Sequence, residues 1–110
     1  MKKGDIYQAF LDPVIGSEQG GNRPVIIISG NTLNTLANVV IIVPVSSKIK
    51  FYEGDPILEP NKTNGLKEKS ELFVLHTKSI AKERLKKRIG SVEPEVLKQI
   101  YNSLTDIFEL

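Results

Sequence analysis

Residues 12–28 read DPVIGSEQGGNRPVIII, and the change of character along this stretch decides the fold. Residues 16–22, GSEQGGN, are a polar, glycine-rich loop, after which Arg23-Pro24 opens the apolar run Val25-Ile26-Ile27-Ile28. A β-branched run this short is no core helix and reads as a buried strand. Towards the N-terminus, residues 4–11 (GDIYQAFL) alternate Ile6, Gln8 and Phe10 with Tyr7, Ala9 and Leu11. They predict a first strand with both faces partly apolar, ended by Asp12-Pro13.

Working outward on the other side, Leu33 and Leu36 within residues 30–38 have helical spacing and predict a short helix. Residues 39–45 form a second β-branched run, in which Pro44 belongs near the strand's end or edge because it cannot donate to the ladder. Ser46-Ser47-Lys48 sit where that strand leaves the core. Residues 50–69 hold Gly54, Pro56, Pro60, Asn61, Asn64 and Gly65 around Ile57-Leu58, which reads as loop with a short edge strand. Residues 71–80 (ELFVLHTKSI) predict one further strand, residues 81–87 one helical turn and residues 88–92 a short last strand. From Pro94 an amphipathic helix carries Val96, Leu97, Ile100, Leu104, Ile107 and Phe108 as one apolar stripe, read as core-facing and as possible support for a dimer. Many short strands and one terminal helix predict a mainly β fold, a small, strongly bent antiparallel sheet or half-open barrel with the helix packed over it.

The chain has 110 residues, 40% hydrophobic and 25% charged, and this predicts one domain, residues 1–110, around one core. Without cysteine, disulfides and thiol chemistry are excluded, and with one histidine a multi-histidine zinc site goes too; neither metal nor cofactor is expected. No apolar run approaches the roughly 18 residues of a membrane span, and Met1-Lys2-Lys3 leads into Gly4-Asp5 rather than an apolar signal core. A cytoplasmic location is expected, with no membrane partner.

A net charge of +2 hides an uneven distribution. Residues 67–88 hold eight cations (Lys67, Lys69, Lys78, Lys82, Arg84, Lys86, Lys87, Arg88) against three acids (Glu68, Glu71, Glu83), which leaves −3 on the rest. Such a segment is either a solvated face or a surface for a polyanion. Arg23 has two readings as well. At the mouth of a rigid strand it can offer its planar five-donor fork to phosphate, or it can cap a carbonyl or pair with an acid.

GSEQGGNRPV after an opening GDIY and LDP, followed by PVSSK (residues 44–48) and KSIAKERL (residues 78–85), resembles the MazF/PemK family of toxin endoribonucleases. The resemblance runs in order through nearly the whole chain. It implies a compact SH3-like barrel with added helices, a homodimer, and metal-free cleavage of single-stranded RNA at short sequence motifs. It also implies a cognate antitoxin whose extended tail covers the RNA site. Residue by residue, the arginine of the family's RP motif falls on Arg23 and its hydroxyl residue after the third strand on Ser46, the two catalytic candidates. Ser17, Glu18 and Gln19 match the family's loop over RNA or antitoxin, and Ser47, His76 and Lys78 complete the RNA-binding candidates. Serine in place of the threonine of many members keeps the hydroxyl and loses the methyl. Some members carry an acid assigned as a base where this chain has Leu75, and several have an arginine where it has Lys78, so a carboxylate base does not transfer.

Metal-free RNA cleavage needs a group to take the 2′-hydroxyl proton, a cation for the charge developing on phosphorus, and a proton for the departing 5′-oxygen. Arg23 suits the second task and Ser46 suits hydrogen bonding to phosphate or the 2′-hydroxyl. For the base, His76 and Glu18 are the candidates, and Glu18 is disfavoured because a glutamate in the loop is better placed to read a base edge or close the loop. Strand neighbours point to opposite faces, so not all cations of the basic segment can contribute; Lys78 is favoured because the resemblance places it beside the family's site. The alternative of a different class is the related CcdB type, a DNA gyrase poison without nuclease activity that depends on a tryptophan-containing tail. This chain has no tryptophan and ends Phe108-Glu109-Leu110. A plain SH3-like peptide module would need an aromatic groove, and only 6% of the residues are aromatic.

Overall fold

The β-branched runs become the centre of a single antiparallel sheet in the computed structural model, which describes residues 1–16 and 18–110. Strand β1 (Asp5–Phe10) and β2 (Asn22–Ile27) form the expected hairpin around the glycine-rich loop, with Ile6 opposite Ile26 and Ala9 opposite Arg23. A short helix α1 (Asn31–Leu36) leads into β3 (Val39–Ser46), which pairs with β2. β4 (Ile57–Leu58) and β5 (Ser70–Leu72) extend the sheet beyond one half of β3, β6 (Lys78–Ala81) flanks its other half, and β7 (Leu85–Ser91) pairs with β1.

The expectation of one strand over residues 71–80 is corrected. β5 and β6 share one edge of β3, but Val45 pairs with Leu72 whereas Ile42 pairs with Lys78. An uninterrupted ladder would put residue 75 opposite Ile42, so three extra residues are taken up in the single 3-10 turn Val74–His76. Pro44 is the reason. Its carbonyl accepts from Phe73 N at 3.0 Å, which aims its missing N–H at the same edge, where β5 has ended and β6 has not begun. The last strand also begins three residues earlier than expected, at Leu85, because the preceding turn spans only Lys82–Arg84.

Strand alternation sorts side chains to two faces. The concave face buries Ile6, Ile26, Val43, Val45 and Leu72 beneath Ile100 of helix α2 (Pro94–Phe108), while Ala9, Val25, Val40, Ile42 and Ile80 form a second cluster on the other face. Tyr101 on α2 ties helix to sheet by donating to Ile28 O at 2.6 Å, and burial raises its phenol pKa. The stripe on α2 reaches the core only as far as Leu104; Ile107 and Phe108 in the last turn are exposed.

The half-open barrel is closed by a loop. Residues 59–69 cross over β7, where Ser91 N donates to Thr63 O at 2.9 Å. Gly90 permits this, since a Cβ there would strike the backbone of Asn64. The buried Asn64 amide staples the loop, accepting from Asn61 N (3.0 Å) and Leu66 N (2.9 Å) and donating to Glu59 O (2.9 Å), so Leu66 plugs the core.

Candidate functional site

The β2–β3 ladder runs towards both catalytic candidates. Its register pairs Val25 with Pro44, and carrying it two residues further towards both strand ends sets Arg23 opposite Ser46. Residues directly opposed across antiparallel strands project to the same face with Cβ atoms about 4.5–5.5 Å apart. On the far edge of β3, Lys78 pairs with Ile42 and so projects to this face too. Pro44 lies among the three, at the wall of a groove of about 230 Å³ that is also lined by Glu18, Gln19, Leu75, His76, Thr77 and Lys78.

Arg23 is half-buried, and its Nε donates to Gly20 O at 2.8 Å. This bond turns the guanidinium by its inner edge and leaves the two terminal amino groups of the fork for an anion. Burial lowers the Arg23 pKa, and the nearby Asp12 carboxylate pulls it back up. Asp12 also fixes the loop, accepting from Gly21 N at 2.9 Å. The carbonyl-cap reading of Arg23 is met at Gly20 O, and that bond is compatible with the anion-fork reading. Ser46 is buried at the end of β3, and its Oγ accepts from Lys48 N at 3.1 Å. That bond uses an acceptor lone pair and leaves the hydroxyl proton to a ligand.

His76 comes from the 3-10 turn rather than a strand, with its ring edge-on to Phe73 at 6.0 Å between centroids. The Glu18 carboxylate accepts from Ile15 N at 2.6 Å, closing a turn within the loop and reducing its fitness as a base. Ser17 lies outside the described residues. Ser47 is not brought to this face. As the neighbour of Ser46 it is exposed on a separate cavity of about 570 Å³, with Gln8, Pro24, Lys86 and Lys87.

The basic segment splits by role. Arg84 Nη1 donates to Phe10 O at 3.2 Å and to Asp12 O, Lys82 Nζ donates to Asn34 O, and Arg88 Nε faces Asp5 Oδ1 at 3.3 Å. These three hold the fold, while Lys78, Lys86 and Lys87 face cavities. Among the described residues, no cluster of three or more His, Cys, Asp or Glu is placed to hold a metal ion.

Sequence reasoning missed two acids beside the site. Glu71 pairs directly with Ser46 across β3–β5 and is fully buried. Its carboxylate accepts from three successive backbone amides, Lys50 N (2.7 Å), Phe51 N (2.8 Å) and Tyr52 N (3.1 Å). Asp55 lies within hydrogen-bond reach of Glu71 and accepts from Val74 N at 3.2 Å. The signal in the sequence was an acid opening the apolar run ELFVL, where a charge needs partners to be tolerated.

The architecture and the chain have known relatives. MazF from Deinococcus radiodurans superposes with a TM-score of 0.88 at 21% identity, covering 100% of this chain and 97% of that one. An endoribonuclease in complex with its cognate antitoxin from a mycobacterial species gives 0.78 at 19% identity, covering 100% and 96%. At such identities the likeness speaks for the fold. In sequence, the chain is 32% identical over 105 residues to Endoribonuclease MazF of Staphylococcus saprophyticus, spanning 94% of this chain and 88% of that protein. Residues 2–108 match the family model of the PemK-like, MazF-like toxins of type II toxin–antitoxin systems. The chain belongs to that family.

Proposed function

We propose that this toxin, a single domain of residues 1–110, cleaves single-stranded RNA without a metal ion, with Arg23 and Ser46 as its catalytic residues. The observation that carries the reading is the β2–β3 register, whose extension past Val25–Pro44 puts the Arg23 guanidinium and the Ser46 hydroxyl on the face where Pro44 and Lys78 line the groove. The staphylococcal relative's name as an endoribonuclease supports the activity.

The 2′-oxygen attacks the adjacent phosphorus as its proton leaves, and the P–O5′ bond breaks as the 5′-oxygen gains a proton. Arg23, anchored through Nε, presents its terminal N–H groups to the phosphoryl oxygens and stabilises the charge that builds there. Ser46 donates to phosphate or to the 2′-oxygen and fixes the line of attack. His76 brings the groove's imidazole, a side-chain type suited to proton transfer near neutral pH, and is the preferred base. Lys78 contacts the RNA backbone, and Glu18 and Gln19 border the groove where base edges lie.

The partners follow the same reading. A cognate antitoxin lays an extended tail over the groove and displaces RNA, supported by the mycobacterial endoribonuclease–antitoxin complex. A second copy of the chain covers the apolar face formed by Leu75, Ile107 and Phe108, exposed around a cavity of about 360 Å³. No described helix is long and apolar enough to cross a membrane, and the proposed place of action is the cytoplasm. Incubating the protein with long RNA in EDTA tests the activity: discrete cuts are expected, and intact RNA overturns the reading.

A further inference from the structure

Two carboxyl groups outside the proposed chemistry join the two walls of the site. Glu71 stands next to Ser46 on β5 and gathers the amides of residues 50–52, the segment that follows Ser46 and Lys48. Asp55 reaches back from the same segment to Val74 N, the first residue of the turn that carries His76. Their carboxyl groups lie within hydrogen-bond reach of each other.

Two ionised carboxylates cannot make a hydrogen bond, because each would only accept. One proton is therefore held between them. Glu71 already receives three N–H donors, which favour its charged form, so the proton belongs to Asp55. The electrostatics agree. Burial, followed by the hydrogen bond to Glu71 and that neighbour's charge, raises Asp55 to about 7 against the opposing Val74 N–H. Burial pushes Glu71 upward, and the bonds from Asp55 and the three amides outweigh it, so its pKa is lowered.

We propose that Asp55 and Glu71 are a positioning pair for RNA cleavage, a proton-held clamp that fixes the segment after Ser46 against the turn carrying His76 and loosens when the shared proton is lost. The inference rests on the nuclease reading for its effect on RNA. Its structural half stands without it. The titratable and charged groups around Asp55 are Glu53 on its own segment, His76 on the turn and Asp106 on α2, which line the same cavity, and Lys50, whose Nζ lies over the Tyr52 ring at 6.0 Å. Glu53 and Asp106 add negative charge to the cavity beside the clamp. Once Asp55 ionises, these acids add to its repulsion from Glu71, and the nearby Lys50 ammonium lies over the Tyr52 ring.

The test compares wild type, D55N and E71Q between pH 5.5 and 8.5. The asparagine keeps an N–H for Glu71 and an oxygen for Val74 N at every pH, and the glutamine keeps an acceptor while removing the charge that holds the proton. The first readout is amide exchange at Lys50, Phe51 and Tyr52 in the RNA-free protein, corrected for intrinsic rates. Protection should fall about thirtyfold by pH 8.5 in wild type, the ratio of ionised to protonated acid for a group titrating at about 7, and stay level in D55N. The second readout is kcat and KM on RNA. The wild-type to D55N ratio of kcat should be near one at pH 5.5 and fall by a similar factor at pH 8.5, with KM little changed, and E71Q should lack this limb. Superimposable pH profiles for wild type and D55N in either readout overturn the proposal. A wild type that cuts no RNA at any pH overturns the nuclease reading instead, and the exchange profile still decides the clamp.

Discussion

Arg23 on β2 and Ser46 on β3 each lie two residues beyond the last paired positions of the β2–β3 ladder, Val25 and Pro44, and extension of its register puts a cation and a hydroxyl on one face at adjacent strand ends. The backbone there is held by a rigid sheet, and the arginine is further restrained by its bond to Gly20 O. Donors fixed in this way need no reorganisation when charge develops on a bound phosphate.

Ser46 should be separable from fold stability. Ser46→Ala removes the proposed donor and also the acceptor for Lys48 N, and should lower kcat by about 10²-fold, the lower range for loss of one preorganised donor. Ser46→Thr keeps both functions and should retain most of the rate. Single-turnover cleavage of one RNA by both variants checks this; equal loss in the two would remove the hydroxyl from the mechanism.

Gly90→Ala should destabilise by about 1–3 kcal/mol, in the range of overpacked sites, because the new methyl meets the Asn64 backbone and pushes the closing loop off β7. Ile26→Ala, in the concave cluster, should cost about 2–5 kcal/mol. Urea denaturation measures both.

The hairpin, both central strands, α1 and the C-terminal helix were legible because each is a local pattern: β-branched runs between turn residues, or a 3.6-residue stripe. The interruption between β5 and β6 was not legible. It follows from Pro44, thirty residues away, whose absent N–H falls on the edge those residues must pair with, and the apolar run itself carries no sign of it. In the candidate site, Arg23 and Ser46 were nominated through motif residues, and the strand register puts them on one face, whereas Ser47 lines a separate cavity because neighbours on a strand face apart. Asp55 and Glu71 escaped notice because a carboxyl pair lying sixteen positions apart is a tertiary event.

Stability should depend on pH through the same pair. Asp55 has a raised pKa in the folded protein, so its contribution is full below the ordinary aspartate value and is lost as pH rises through about 7. Glu71 is lowered, so its contribution is present above the ordinary glutamate value and lost as pH falls through its folded value. Between pH 5 and 8 the Asp55 effect decides, and the Tm of wild type should fall relative to that of Asp55→Asn. A constant difference across that range would contradict the assignment of the proton.

Lys78 should act through charge. Lys78→Ala should weaken binding to a non-cleavable RNA uniformly across sequences and reduce the slope of log K against log salt by about 0.7, the value of one phosphate contact on a single strand. Lys82→Ala should act instead on stability, because its ammonium is committed to Asn34 O. Salt titrations of both variants separate the two roles.

The central claim is that the anchored Arg23 fork stabilises the phosphate during metal-free cleavage. The most direct measurement is the single-turnover rate of RNA cleavage in EDTA by wild type and by Arg23→Ala whose unaltered fold is verified by circular dichroism. Wild type should give discrete cuts, and the variant a rate about 10²–10³ lower. A folded Arg23→Ala protein that cuts at the wild-type rate would contradict it.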